Sequence, residues 1–230
     1  MPRAIKKKVK SKETDTEIEI KDVLGDVRDA MKKKQKTILI YTVIGLCAIL
    51  AFSVILYTQY SADQKARRIE SRAYNLYYSL SPQTNIPKQE QYRQALDLFH
   101  QAYRTQKSPR VLLFIADSQF EIGMHDDALQ TLNTFVKKHS NAKDLLPIAY
   151  RKMAAIQITK GETEPALKTL DNLYKSGPIF RDFALLESGR ILDREGKKSE
   201  ADAKYKELIE NFPGSPLLEE AKARAEEEKG

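Results

Sequence analysis

The side chains able to do acid–base, nucleophilic or metal chemistry are few in this 230-residue chain and stand apart from one another. His100, His125 and His139 fall in different predicted helices or turns, and none has the neighbours of a catalytic or metal-binding constellation. The single cysteine, Cys47, excludes a disulfide framework and a Cys-rich zinc site. It lies within a long apolar segment, where we interpret it as an inert thiol facing lipid or a neighbouring helix.

Short catalytic motifs are equally scarce. The pattern Ser140-x-x-Lys143 has no companion motif, and the acidic pair Glu219-Glu220 lies on a strongly charged helical segment typical of a solvated face. There is no phosphate-binding loop, nucleophile elbow, zinc-protease motif or Cys-x-x-Cys. The sequence therefore predicts a protein that is not an enzyme and that uses no cofactor, metal or small-molecule substrate.

The distribution of charged residues divides the chain into three segments of different character. The chain has 39 Lys and Arg against 32 Asp and Glu, for a net charge of +7. Residues 1–36 hold a net charge of +5, residues 37–62 hold no charged side chain, and residues 63–230 hold +2. The first 17 residues lack apolar periodicity, which predicts disorder. Most of the net positive charge thus lies in residues 1–36. In this tail, acidic residues are interspersed with the basic ones and aromatic residues are lacking, which argues against nucleic-acid binding.

The uncharged segment predicts a transmembrane helix over residues 37–60. Its most apolar part, residues 37–58, would span roughly 33 Å as a helix, against about 30 Å of bilayer hydrocarbon. A cleaved signal peptide is a poor alternative, because the apolar run is too long and 36 residues precede it. We interpret the segment as an uncleaved signal anchor rather than the core helix of a soluble domain.

Basic residues flanking the segment predict its orientation. Lys32, Lys33, Lys34 and Lys36 lie within five positions before it, whereas the basic residues that follow are more dispersed. Lys and Arg concentrate on the cytoplasmic side of a span. We expect a cytoplasmic tail that contacts anionic lipid head groups, and a C-terminal domain outside the cytoplasm.

An internal repeat follows the apolar segment. Alanine recurs at intervals of 33, 38 and 35 residues, at Ala95, Ala128, Ala166 and Ala201. A glycine stands five residues before three of these alanines, at positions 123, 161 and 196, and each lies between two segments of helical periodicity. The pattern predicts helix pairs joined by glycine-containing turns, with no strand in the chain.

These units resemble tetratricopeptide repeats. The resemblance is most specific over 182–215, a 34-residue unit with Gly189, Gly196, Ala201 and Tyr205 at the positions typical of the repeat. Units over 109–142 and 147–177 match less completely, and a divergent first unit over 62–106 contains a stretched turn at 81–87. A polar helix within 216–230, beginning at the Ser215-Pro216 cap, would close the stack.

The predicted fold is therefore all-α, with one N-terminal transmembrane helix followed by a repeat solenoid and a C-terminal capping helix. Its predicted divisions are a cytoplasmic basic tail (1–36), the transmembrane helix (37–60) and an extracytoplasmic repeat domain (61–230).

The first helix of each pair is expected to line a concave surface that binds protein partners, because the repeat family builds its groove in that way. Arginine and aromatic side chains there would suit an apolar segment with some acidic groups; the other interpretation is that they simply face solvent. The candidate residues are Arg110, Leu113, Asp117, Phe120, Arg151, Ala155, Ile158, Leu186, Arg190 and Asp193.

The whole layout resembles the YfgM-type family of bacterial inner-membrane proteins, which are ancillary subunits of the Sec translocon. The resemblance implies a single-pass inner-membrane protein with a periplasmic domain that links the translocon to periplasmic chaperones or client proteins. A repeat protein that coordinates cell-wall synthesis, cell division or outer-membrane assembly is the alternative.

Overall fold

A computed structural model describes residues 15–80 and 86–226, with side chains from residue 23 onward. The described part is entirely helical, as predicted, and contains no strand. Contacts divide the chain into two compact units, Met1–Tyr60 and Ser61–Gly230. The helices are α1 (Asp15–Tyr77), α2 (Lys88–Thr105), α3 (Pro109–Glu121), α4 (His125–Lys138), α5 (Leu146–Thr159), α6 (Thr163–Ser176), α7 (Arg181–Arg194), α8 (Lys198–Asn211) and α9 (Leu218–Glu226).

Within the first unit, α1 exposes its apolar side chains on all sides. An 18-residue window of this helix has a mean hydropathy of 2.7, and none of that window is buried; in the described part, α1 alone is long and apolar enough to cross a membrane. The hydroxyls of Thr42, Ser53 and Thr58 donate to backbone carbonyls three or four residues earlier. These bonds satisfy the hydroxyl donors within the helix, as an apolar environment requires.

The start of α1 bears on the predicted disorder of residues 1–17. Residues 1–14 lie outside the described part, but Asp15–Glu17 are helical, so the prediction is wrong for these three residues. The stretched turn predicted at 81–87 also falls largely outside it, since residues 81–85 are not described.

The second unit stacks helices in chain order, each packing against the next from α2 to α9. The last turns of α1 take the place of the first helix of the first pair: Ala73 is fully buried, and Tyr74 and Tyr77 pack against Phe99 and Phe114. Large apolar side chains of the second helices, among them Leu132, Phe135, Leu170, Leu173, Tyr205 and Leu208, fill the core.

Three glycines end the first helices of successive pairs in a left-handed conformation. The φ angles are +80° at Gly123, +74° at Gly161 and +74° at Gly196. A side chain is strained in this region, whereas glycine adopts it freely. The predicted glycine turns are confirmed.

Hydrogen bonds between side chains also link the helices of this apolar stack. Within a pair, the Thr131 hydroxyl donates to Gln119 and the Tyr205 hydroxyl donates to Asp193, each across 12 residues. The Ser215 hydroxyl donates to Asp182, about one repeat away, and accepts a bond from the Leu217 N–H. The bond from Leu217 is of the type made by a helix N-cap, as predicted for Ser215, but α9 begins at Leu218, two residues after the predicted start at Pro216.

Candidate functional site

A groove of about 350 Å³ opens within the second unit, between the end of α1, α3 and α5. We call it the α3–α5 groove. The helices that form it are the first members of three successive pairs, which is the concave side expected of a repeat solenoid. Its walls carry aromatic, aliphatic and charged side chains, namely Tyr77, Tyr78, Asp117, Phe120, Glu121, Lys152 and Ala155.

Edge-to-face aromatic packing holds the wall contributed by α1. The Tyr77 ring lies 5.9 Å from Phe114, with the two planes at 87°, and 5.2 Å from Tyr92. The neighbouring Tyr78 is 54% exposed, although its ring reaches to 6.4 Å from Phe114. The groove therefore has one ordered aromatic wall and one tyrosine available at its surface.

An ion pair crosses the floor of the groove. The Lys152 Nζ donates to Asp117 Oδ1 at 2.6 Å. Burial raises the pKa of Asp117, and the charge and hydrogen bond of Lys152 oppose this only in part. Burial also raises the pKa of the Tyr77 phenol, with smaller contributions from the negative charges of Asp117 and Glu121. The floor of the groove is thus polar, and the opposite charges of Asp117 and Lys152 are paired with each other.

Three of the ten predicted residues line this one groove: Asp117, Phe120 and Ala155. Ile158 lies in a separate depression of about 160 Å³ between α5 and α7, beside Ile191. Arg110 is exposed at the start of α3, and its charge lowers the pKa of Tyr74, although burial dominates and leaves that pKa raised.

Leu113 and Leu186 do not line the surface, which corrects the prediction. They are 4% and 1% exposed and belong to the hydrophobic core. The physical reason is that α3 and α7 each pack between neighbouring helices on more than one side, so residues beyond a single stripe are covered.

Arg190 and Asp193 are engaged within the domain. The Arg190 guanidinium donates to Glu187 on its own helix, and its Nε donates to Glu220 of α9 at 2.9 Å. Asp193 Oδ2 accepts the Tyr205 hydroxyl at 2.6 Å. Both side chains stabilise the last pair and its cap, and a partner would have to displace these contacts to reach them.

Arg151 is exposed, and its guanidinium lies over two aromatic rings of the next repeat. Its guanidinium carbon lies 4.8 Å from the Phe180 ring centre and 5.7 Å from that of Phe183. Among the described residues, no carboxylate lies within ion-pair distance of it. Within the described part of the chain, its N–H donors also make no side-chain hydrogen bond.

Sequence reasoning missed Tyr77, Tyr78, Lys152 and Phe180. Lys152 had a usable signal, because it follows Asp117 by 35 residues and opposite charges one repeat apart can pair across adjacent units. Tyr77 and Tyr78 belong to the divergent first unit, whose register is poorly marked. Nothing in the sequence indicates the left-handed backbone of Phe180. No group of three or more potential metal ligands occurs in the part of the chain that the structure describes.

Comparison with known structures supports the same architecture. The crystal structure of MamA protein superposes with a TM-score of 0.51 at 17% identity, covering 72% of this chain and 85% of that one. A MamA RS-1 ArsTM double mutant gives a TM-score of 0.51 at 15% identity, covering 71% and 84%. At these identities the likeness concerns the fold alone. No curated protein sequence is significantly similar to the chain.

A family model described as tetratricopeptide repeat-like domain matches residues 28–221. The match covers most of the chain, and it includes the apolar segment of α1 as well as the helix pairs. The chain therefore belongs to the tetratricopeptide repeat-like domain family, in which such repeats generally serve as non-catalytic scaffolds for protein interactions.

Proposed function

We propose that this protein is a membrane-anchored scaffold that binds protein partners through the concave side of its repeat domain. The observation that carries the proposal is the pairing, in one chain, of an unburied apolar helix with a grooved repeat solenoid. The apolar segment belongs to one compact unit and the groove to the other. Their covalent linkage makes sense if the protein must hold a partner beside a membrane.

The apolar segment supports the anchoring role. Its Leu, Ile, Val and Phe side chains from Ile38 to Leu56 are each 44–65% exposed. Leaving so much contiguous apolar surface in water is strongly unfavourable, at about 25 cal/mol per Å². In a bilayer the same surface stabilises insertion. The flanking basic residues favour a cytoplasmic tail and an extracytoplasmic repeat domain; a reporter fused after Gly230 that is active only in the cytoplasm would contradict this orientation.

The resemblance to the YfgM-type family supports a finer assignment. We infer a bacterial inner-membrane location, a translocon beside the span, and periplasmic chaperones or client proteins at the repeats during secretion and envelope biogenesis. In the alternative role, the repeats regulate cell-wall synthesis, cell division or outer-membrane assembly. The two roles differ in what contacts the span.

Photo-crosslinking from the span separates these roles. A photoreactive amino acid replaces Leu50 in the full chain expressed in its own cells, and the adducts are identified by mass spectrometry. Replacement of Asn133, exposed on α4, provides a matched control in the repeat domain. Channel subunits crosslinked from position 50 and not from position 133 support the translocon role. Their absence from position 50, with cell-wall enzymes recovered in their place, would assign the alternative role.

A further inference from the structure

We propose that Arg151 binds the carboxylate of a Glu or Asp side chain on the partner segment that occupies the α3–α5 groove. This inference rests on the proposed protein-binding function and names the chemistry of its partner. The occupant is an apolar segment with one acidic side chain displaced from its apolar anchor by about one helical turn.

The guanidinium of Arg151 contacts two aromatic rings but has no acceptor among the residues that the structure describes. The rings of Phe180 and Phe183 lie against it at 4.8 and 5.7 Å. These contacts with the ring faces use none of the guanidinium N–H groups in a hydrogen bond to a described residue, and a guanidinium whose N–H groups are available can bind a carboxylate through two parallel hydrogen bonds. By contrast, Arg190 makes its hydrogen bonds to carboxylates inside the domain.

The backbone at Phe180 indicates that this contact is maintained against strain. Phe180 has φ +64° and ψ +21°, a left-handed conformation that is unfavourable for a bulky residue. The surrounding loop holds it there. Arg181 Nε donates to the Gly177 carbonyl at 2.9 Å and to the Tyr174 carbonyl at 3.0 Å, and the Ala184 N–H donates to the Phe180 carbonyl. Strain that the surrounding structure sustains is concentrated at ligand-binding sites.

The position of Arg151 joins this contact to the groove. Arg151 and Ala155 are four residues apart on α5, so their side chains are neighbours on one helical face. Ala155 lines the groove, and the charge of Arg151 reaches Asp117 on the groove floor. A segment that seats an apolar anchor against Phe120 and Ala155 therefore brings the next turn of its chain to Arg151.

The charges around the groove favour a negatively charged ligand side chain and determine where along the groove that side chain binds. Lys152 is neutralised by Asp117, which leaves Arg151 as the cation without a carboxylate on this wall. Glu121 lines the groove one helical turn beyond Asp117 on α3, and its negative charge raises the pKa of Tyr77. A ligand carboxylate is thus attracted toward Arg151 and repelled by Glu121.

An internal side chain fits better than a C-terminal carboxylate or a phosphate. Capture of a chain terminus uses several convergent donors, such as a backbone nest, and a doubly charged phosphate is typically met by a cluster of arginines. Here one arginine supplies the charge, which matches a single Glu or Asp side chain.

Matched peptides test the inference on the full chain in nanodiscs. The probes are pools of acetylated and amidated peptides of about twelve residues. Each has a central Phe or Leu, uncharged random flanks, and either Glu, Gln or Lys one helical turn to each side. Fluorescence anisotropy should show the Glu pool binding about 5- to 10-fold more tightly than the Gln pool, and the Lys pool most weakly.

Variants identify the group responsible. Arg151→Gln should bring the Glu-to-Gln affinity ratio to about 1, and Phe180→Ala should lower it. Arg93→Gln, which removes an exposed arginine on α2, should leave it unchanged. Equal binding of the Glu and Gln pools, or an unchanged ratio in a folded Arg151→Gln protein, would overturn the carboxylate site while leaving peptide binding by the groove intact. Absence of binding by every pool would contradict peptide binding by this groove as well.

Discussion

Charged side chains on the concave side of the repeat domain fall into two classes by their contacts. Arg190, Asp193, Asp117 and Lys152 form hydrogen bonds within the domain, so their first role is structural. Arg151 has aromatic neighbours and no bonded carboxylate in the described chain. The distinction matters because a paired charge must lose an existing contact before it binds a partner, whereas Arg151 exchanges only water.

The pair of Asp117 and Lys152 should make stability depend on pH in a direction opposite to most salt bridges. The pKa of Asp117 is raised in the folded protein because burial outweighs the attraction of Lys152. A carboxyl with a raised folded pKa contributes most stability below its unfolded value of about 4 and loses that contribution as the pH rises through the folded value. The free energy of unfolding of the parent should therefore fall between pH 4 and pH 7 relative to that of Asp117→Asn, whatever constant cost the loss of the bond to Lys152 adds at every pH.

Denaturant unfolding of both proteins between pH 4 and pH 8 measures this effect. Asp171→Asn, which removes an exposed carboxylate on α6, is the control and should show no such trend. The contrary result is that Asp117→Asn destabilises the protein more at pH 7 than at pH 4. It would mean that the attraction of Lys152 outweighs burial.

Gly189 is required for close packing between α7 and α8. A Cβ at this position would lie 2.3 Å from Cε1 of Tyr205. The Tyr205 ring cannot move aside without cost, because it is 1% exposed and its hydroxyl is bonded to Asp193. We expect Gly189→Ala to lower the free energy of unfolding by about 1–3 kcal/mol, seen as a fall of several degrees in Tm.

Gly214→Ala is the matched control for this substitution, since a Cβ there meets nothing within 4 Å. Equal melting temperatures for Gly189→Ala and Gly214→Ala would show that the two helices can separate at no cost, contrary to this packing.

At the scale of helices, the sequence predicts whatever depends on local backbone requirements. The turn glycines at 123, 161 and 196 are predictable because a left-handed residue must end each first helix, and their spacings of 38 and 35 residues then place the helix pairs. The burial of Leu113 and the contact between Phe180 and Arg151 are not predictable in this way. They depend on how many neighbours a helix has and on a loop conformation, which are properties of the assembled stack.

Docking of the capping helix α9 depends on Arg190, which links α7 to Glu220. The pair is partly exposed, at 35% for each side chain, so its contribution is modest, up to about 1 kcal/mol. Arg190→Gln should make the amides of Leu218–Glu226 exchange with deuterium about 2- to 5-fold faster, with less change in α3 and α5.

Arg194→Gln is the control for this experiment, because Arg194 is exposed on the same helix and its Nε makes a long hydrogen bond of 3.4 Å to the Arg190 carbonyl of that helix. Unchanged exchange in α9 after Arg190→Gln would assign docking of the cap to its apolar contacts, made by Leu218, Ala221 and Ala225.

At the scale of the whole molecule, the two compact units differ in their surfaces. The first carries the basic tail and an apolar helix suited to a bilayer, and the second carries a repeat solenoid with a groove. The net charge of +7 describes neither unit, since +5 of it belongs to residues 1–36. We therefore propose separate roles for the two units, with anchoring by the first and partner binding by the concave side of the second.

The most direct test of this account compares crosslinking from the two sides of the repeat domain in membranes. A photoreactive phenylalanine derivative replaces Phe120 in the α3–α5 groove or, separately, Asn133 on exposed α4, in the full membrane-bound chain. The account predicts discrete protein adducts from position 120 that the additional substitution Ala155→Arg, which obstructs the groove, abolishes. Adducts of equal yield from both positions, or adducts from position 120 that persist with Arg at 155, would contradict partner binding by the groove.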